Sequence, residues 1–209
     1  MKNKPEISSI TVTNVGYLST NYWVISAGRS RLLVDLGYPG TMGTLRARLK
    51  KMDIPLQEIR YAIATHYHID HAGLAQELKL MGVHLIVLET QVAAIPQMKL
   101  FTKPRDHYME ISLEGNLTIP ASESRTVLAQ LGLQGEILPT PGHSDDSVSL
   151  LLDDGSVFTG DLTPVENAWG EQGELVKASW HLLIEHGAKR VYPGHGGIRT
   201  IDQMKKVEI

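Results

Sequence analysis

The chain contains no cysteine. Disulfides, thiolate zinc sites and cysteine nucleophiles are therefore excluded, and any metal must be held by histidine and carboxylate. It also lacks a run of lysine and arginine. With a formal net charge of -3 and charges mixed in sign, it is without the basic footprint of a nucleic-acid binder. Long apolar runs are missing too: Met1 to Ile10 holds no segment suited to a signal peptide, and nothing later approaches a membrane span. The expectation is a cytoplasmic protein with neither nucleic acid nor membrane as partner. No Ser/Gly-rich linker, charge block or internal repeat divides the 209 residues, and 42% of them are hydrophobic, enough to bury a substantial core. Residues 1–209 are accordingly expected to form one domain.

Strand and helix patterns interleave. Ile10–Val15 alternates, and Asn21–Ala27 and Arg31–Asp35 flank a Gly28-Arg29 turn, which predicts a hairpin. From Thr41 the period lengthens, with Met42, Leu45, Leu49 and Met52 on one helical face that ends before Ile54-Pro55. Tyr61–Ala64 predicts a buried strand, Ala72–Met81 a helix closed by Gly82, and His84–Leu88 another strand. Helical fragments at Val92–Leu100 and Glu123–Leu131 are separated by Pro96, Pro104 and Pro120, so 89–133 is expected as a partly irregular helical insertion near the site. Ser147–Leu152 and Ser156–Thr159 predict a second hairpin across Asp153-Asp154-Gly155. Val176, Trp180, Leu183 and Ile184 mark a last amphipathic helix, followed by a strand at Lys189–Tyr192. Such interleaving predicts an α/β chain with mixed sheets.

Three imidazoles and a carboxylate crowd into Thr65-His66-Tyr67-His68-Ile69-Asp70-His71, directly after the Tyr61–Ala64 strand. In a loop leaving a strand, His66 and His68 can point the same way while Asp70 and His71 converge on a neighbouring point, so two adjacent metal ions could be served. The alternative is a polar turn capping the helix at Ala72 with Asp70 as N-cap. Three histidines in one cap serve no such need. Pro141-Gly142-His143-Ser144, Gly160-Asp161-Leu162 and Pro193-Gly194-His195-Gly196 each place one further donor at a strand end or turn. His84, His107, His181 and His186 are expected to be structural.

The run His66-x-His68-x-Asp70-His71, followed in order by His143, Asp161 and His195, resembles the signature of the metallo-β-lactamase superfamily. Val34-Asp35-Leu36-Gly37 is similar to that family's early strand-end aspartate, and the resemblance spans about residues 10 to 200. It implies a four-layer αββα sandwich of α/β (α+β) class, two mixed β-sheets face to face with helices outside and metals at one edge. By the same resemblance His66, His68 and His143 would bind a first metal, Asp70, His71 and His195 a second, and Asp161 would bridge them. Asp35 would orient the ligand loop from behind. The implied cofactor is a pair of zinc ions, with iron or manganese as alternatives. A metal-bridging hydroxide would be the nucleophile, with Asp70 also handling its proton.

Departures from subfamily patterns narrow the expected chemistry. His68 stands where the flavin-linked di-iron branch has glutamate, and Asp161 stands where true β-lactamases have another residue. The full ligand set looks like that of glyoxalase II-like thioesterases and acyl-homoserine lactonases. The chain ends soon after His195, however, leaving no helical glutathione-contacting domain, and Leu162-Thr163-Pro164 lacks the tyrosine of the lactonases. The resulting expectation is a small-molecule hydrolase acting on an ester, thioester or lactone. Phosphodiester hydrolysis, an iron-dependent sulfur dioxygenase and a non-enzymatic metal-binding protein are the alternatives, and Tyr67 and Tyr192 are candidates for shaping the pocket.

Overall fold

The computed structural model describes residues 10–27 and 30–204. The first sheet comprises β1 (Thr11–Asn14), β2 (Trp23–Ala27), β3 (Ser30–Val34), β4 (Ile59–Ile63), β5 (His84–Leu88) and β6 (Leu117–Ile119), in that spatial order. Its first two pairings are antiparallel and the rest parallel. The second sheet runs β11-β10-β9-β8-β7, where β7 is Gly135–Pro139, β8 Val148–Leu152, β9 Ser156–Gly160, β10 Arg190–Pro193 and β11 Arg199–Thr200. Only its β9–β10 pair is parallel. The helices are α1 (Met42–Lys51), α2 (Ile69–Ala72), α3 (Ala75–Leu80), α4 (Ser124–Gln130), α5 (Gly170–Glu185) and α6 (Ile201–Met204).

Alternation along the strands creates four layers, because successive side chains of a strand point to opposite faces. Trp23, Ile25, Leu32, Val34, Ile63, Ile86 and Leu88 face the second sheet, where they meet Ile137, Leu150, Phe158 and Tyr192. Their neighbours Val24, Leu33, Ala62, Leu85 and Val87 turn outward to pack with Leu45 and Leu49 of α1 and Leu78 of α3. On the far side Leu151, Val157 and Val191 receive Val176, Trp180 and Leu183 of α5. Both sheets are thus apolar on both faces, giving the αββα sandwich. At its centre Phe158 stacks on Tyr192 at 4.8 Å, and both meet Trp23 edge-on. Tyr192 is therefore a core residue and not part of a pocket.

The hairpin between β2 and β3 pairs Ala27 with Ser30, while its Gly28-Arg29 turn lies outside the described residues. One predicted helix differs: Ala72–Met81 is divided, with α2 starting inside the histidine cluster and α3 beginning after Gly73-Leu74. Glycine is needed at 73, where a Cβ would collide with the Ile69 carbonyl and with Pro39 and Gly37. The 89–133 segment carries 3-10 turns at Glu89–Gln91, Ile95–Phe101 and Pro104–Asp106, then β6 and α4. The expected α-helix at Val92–Leu100 is thus a tighter 3-10 segment, with Pro96 at its start, where the missing N–H is tolerated.

The fully buried Phe158 closes the space between the sheets. Phe158→Ala is expected to lower unfolding stability by about 3–5 kcal/mol in chemical denaturation. A loss below ~1 kcal/mol would contradict this assignment of the central core.

Candidate metal centre

Strand ends bring the polar residues to one edge. Asp35 follows β3, Thr65 and His66 follow β4, Asp161 follows β9, and Gly194 and His195 follow β10. Backbone bonds join these ends across the sandwich: Thr65 O accepts from Val148 N at 2.8 Å, and Gly194 O accepts from Asn21 N at 2.7 Å. The turn before His195 needs glycine at 194, because a Cβ there would run into Asp161 Oδ1 and His71 Cε1. Gly160 has φ +52° and lies against the Thr65 side chain, which leaves no room for a Cβ either.

All seven residues singled out in the sequence meet here. His66, His68 and His143 form one group, Asp70, His71 and His195 a second, and His66, His71 and Asp161 a third that links them. His143 Nε2 is 3.0 Å from His68 Nδ1, and His71 Nε2 is 3.4 Å from His195 Nε2. Asp70 Oδ2 lies 3.3 Å from His71 Nε2 and 3.2 Å from His195 Nε2. Asp161 stands between the groups, with Oδ1 3.3 Å from His71 Nε2 and Oδ2 3.3 Å from His195 Nε2 and 3.8 Å from His143 Nε2. Asp70 is the second residue of α2, and His68 occupies the N-cap position without a side-chain capping bond. The Asp70 carboxylate accepts from Thr20 Oγ1 at 2.9 Å, so the capping alternative is set aside.

Behind these groups lies the buried Asp35. Its Oδ1 accepts from Thr65 N at 2.8 Å and from Thr65 Oγ1 at 2.9 Å, and its Oδ2 is 2.9 Å from His71 Nδ1. Its backbone is left-handed, φ 61°, a conformation that costs a non-glycine residue energy and that its surroundings must enforce. Several supports carried no sequence signal. Gln91, completely buried, donates to Ala64 O and Asp146 O, and Asp146 in turn accepts from Tyr67 N at 2.7 Å. Asn21 holds the Pro193 and Gly196 carbonyls, and Ser19 O lies 2.8 Å from His195 Nδ1. Of these, Asp146 alone could have been suspected, from its place three residues after His143. His84, His107, His181 and His186 lie outside the cluster, and His186 Nδ1 contacts Glu136 at 3.0 Å.

The electrostatics separate the imidazoles. Burial pushes His66 well below the ordinary histidine value, and its histidine neighbours push it further, so it is neutral at pH 7. Burial also disfavours charge on His71, but Asp35, Asp161 and Asp70 outweigh it and hold that ring well above the ordinary value. Burial would raise Asp70 and Asp161, yet His71 brings both down, with help from Thr20 at Asp70. Both carboxylates are ionised. His66 Nε2 is buried without a hydrogen-bond partner, and leaving such an atom unmatched costs about 1–3 kcal/mol. The neutral His66 ring with its orphaned nitrogen, the other imidazoles that face it and the two ionised carboxylates together fit cations bound among them.

The sequence matches the family model described as the metallo-beta-lactamase superfamily over residues 15–195. A probable metallo-hydrolase of Methanocaldococcus jannaschii, MJ0888, is 29% identical over 205 residues, covering 90% of this chain and 93% of that protein. An atrochrysone carboxyl ACP thioesterase of Aspergillus novofumigatus is 26% identical over 195 residues, covering 89% of this chain and 52% of its own length. The chain spans about half the length of several curated relatives that it matches. Among solved structures, TTHA1623 in a di-iron-bound form superposes with a TM-score of 0.71 at 21% identity, over 94% of this chain and 98% of that one. At that identity the likeness bears on the fold, which it shares.

In the metal-free protein, the His71 imidazolium is expected to persist well above pH 6.5. Its pairing stabilises the fold fully below the unfolded-state value and is lost as pH rises through the higher folded-state value. Histidine ring NMR would show this. Asp35→Asn should move the transition downward, and titration of wild-type His71 at or below 6.5 would contradict the arrangement.

Proposed function

This chain belongs to the metallo-beta-lactamase superfamily, and on that premise we propose that it is a metal-dependent hydrolase of small esters, thioesters or lactones. One observation carries the reading: two groups of three donors face each other, with Asp161 contacting members of both. His66 through Nε2, His68 through Nδ1 and His143 through Nε2 would hold one zinc ion. Asp70, His71 and His195 would hold the other, and Asp161 would join the two. Such a pair supplies a water molecule whose pKa is lowered towards ~7 and a Lewis acid for the carbonyl oxygen. The thioesterase name among the relatives and the probable metallo-hydrolase name support hydrolysis.

The remaining roles belong to the protein. Asp35 keeps a proton on His71 Nδ1 and so leaves Nε2 free for the site. Thr65 Oγ1, 3.2 Å from His66 Nδ1, orients that ring in the same way. Asp70, ionised and fixed by Thr20, would orient the attacking water. In the reaction water adds to the carbonyl carbon, the bond from that carbon to oxygen or sulfur breaks, and a carboxylic acid and an alcohol or thiol leave. The substrate is proposed to be a small molecule. No helix among the described residues is long and apolar enough to cross a membrane.

Turnover of ester, thioester, lactone and phosphodiester panels by protein loaded with zinc, iron or manganese tests the proposal, with oxygen uptake measured beside it. Zinc-supported hydrolysis of a carbonyl substrate is expected, and His68→Ala and Asp161→Asn should lower kcat/KM by at least ~100-fold while reducing bound metal. Turnover confined to phosphodiesters, or iron-dependent oxygen consumption without hydrolysis, would replace this reading. Metal binding at pH 7 should also release at least one proton, because His71 must give up its charge to become a ligand. Calorimetry in buffers of different ionisation heat counts it, and a count of zero would contradict a charged His71 that turns into a ligand.

A further inference from the structure

The most exposed large apolar side chains are not scattered. Among the described residues, four exceed 70% exposure: Leu18, Leu100, Phe101 and Trp169. Single exposed apolar residues are ordinary on a protein surface, but these four all belong to segments that border the metal centre. Leu18 precedes Ser19 and Thr20, which contact His195 and Asp70. Leu100 and Phe101 end the 3-10 segment Ile95–Phe101, and Trp169 lines a 350 Å³ groove beside His143.

A cleft of 280 Å³ opens on the other side, lined by Tyr67, His68, Ile69, Asp70, Met98 and Phe101. It starts at a member of each donor group, His68 and Asp70, and its remaining lining is aromatic and aliphatic. At roughly 30 Å³ per water molecule in the liquid, it has room for a chain of several carbons and not only a methyl group. The groove on the His143 side, by contrast, carries the amides of Asn167 and Gln172. Of these two openings, the one on the Phe101 side is the more apolar.

We propose that the cleft between Tyr67, Ile69, Met98 and Phe101 binds an apolar acyl chain, so that the substrate is an amphipathic ester, thioester or lactone whose carbonyl lies at the metal centre. The substrate class rests on the hydrolase reading above; the cleft's affinity for an apolar chain does not. Met98 is buried and fixes the floor, while Phe101 is 75% exposed and gains cover only when a chain lies against it. Each methylene so buried is worth up to about fourfold in kcat/KM.

The test uses metal-loaded protein and acetyl, butyryl and octanoyl thioesters of one thiol, together with calorimetric binding of acetate and octanoate. In wild-type protein kcat/KM should rise at least tenfold from acetyl to octanoyl, and octanoate should bind more tightly than acetate. Phe101→Asp should flatten both trends, Phe101→Leu should restore them in part, and Leu80→Asp, an exposed residue that lines no part of the cleft, should keep them. Turnover that is independent of chain length, with equal binding of both carboxylates, would overturn the acyl cleft and leave the hydrolase standing. Absence of turnover alongside a Phe101-dependent preference for octanoate would remove the hydrolase and retain the cleft. Absence of both would overturn both.

Discussion

A single carboxylate, sunk at the end of the third strand, holds the centre in order. Asp35 sits where water does not reach, and its charge is matched by two donors of Thr65 and by the ring of His71. Breaking a buried match of this kind is costly because the remaining charge has no solvent to turn to. Asp35 therefore fixes the end of β4 relative to β3, the tautomer of His71 and the start of α2 at once. Its left-handed backbone, a conformation that aspartate tolerates better than most residues, is held there by the same contacts.

That dependence passes outward by layers. Strand alternation makes the inter-sheet core, the core sets the two sheets face to face, and their common edge brings Asp161 and His195 from the second sheet to His66 and His71 of the first. Gly194 and Gly160 mark where the approach is closest. The apolar clefts beside the centre use the same scaffold, yet their walls come from less regular segments, where one side chain can change without disturbing a strand.

Much of this was legible in the residues. His66, His68, Asp70 and His71 were readable because their spacing is too dense for a cap, and His143, Asp161 and His195 because each follows a turn at a strand end. The strands β2, β3, β5, β8 and β9 were readable because they are short, largely apolar runs bounded by turn residues. β6 and β7 were not: the first is three residues long, and the second is bounded by Gly135 and Pro139. The division of Ala72–Met81 falls at Gly73-Leu74, where the local period is unbroken. Thr20, Asn21 and Gln91 are ordinary polar residues until the fold carries them to the site, and the Met98–Phe101 wall lies in a segment expected as α-helix that winds as a 3-10 segment instead.

The donors at this edge come from both sheets, His66 to His71 from one and His143, Asp161 and His195 from the other. Cations bound among them would act as a clasp between the two halves of a molecule that has no thiol with which to make one. A chelator would remove that clasp and leave the two halves joined by their shared core and by the backbone bonds from Val148 to Thr65 and from Asn21 to Gly194.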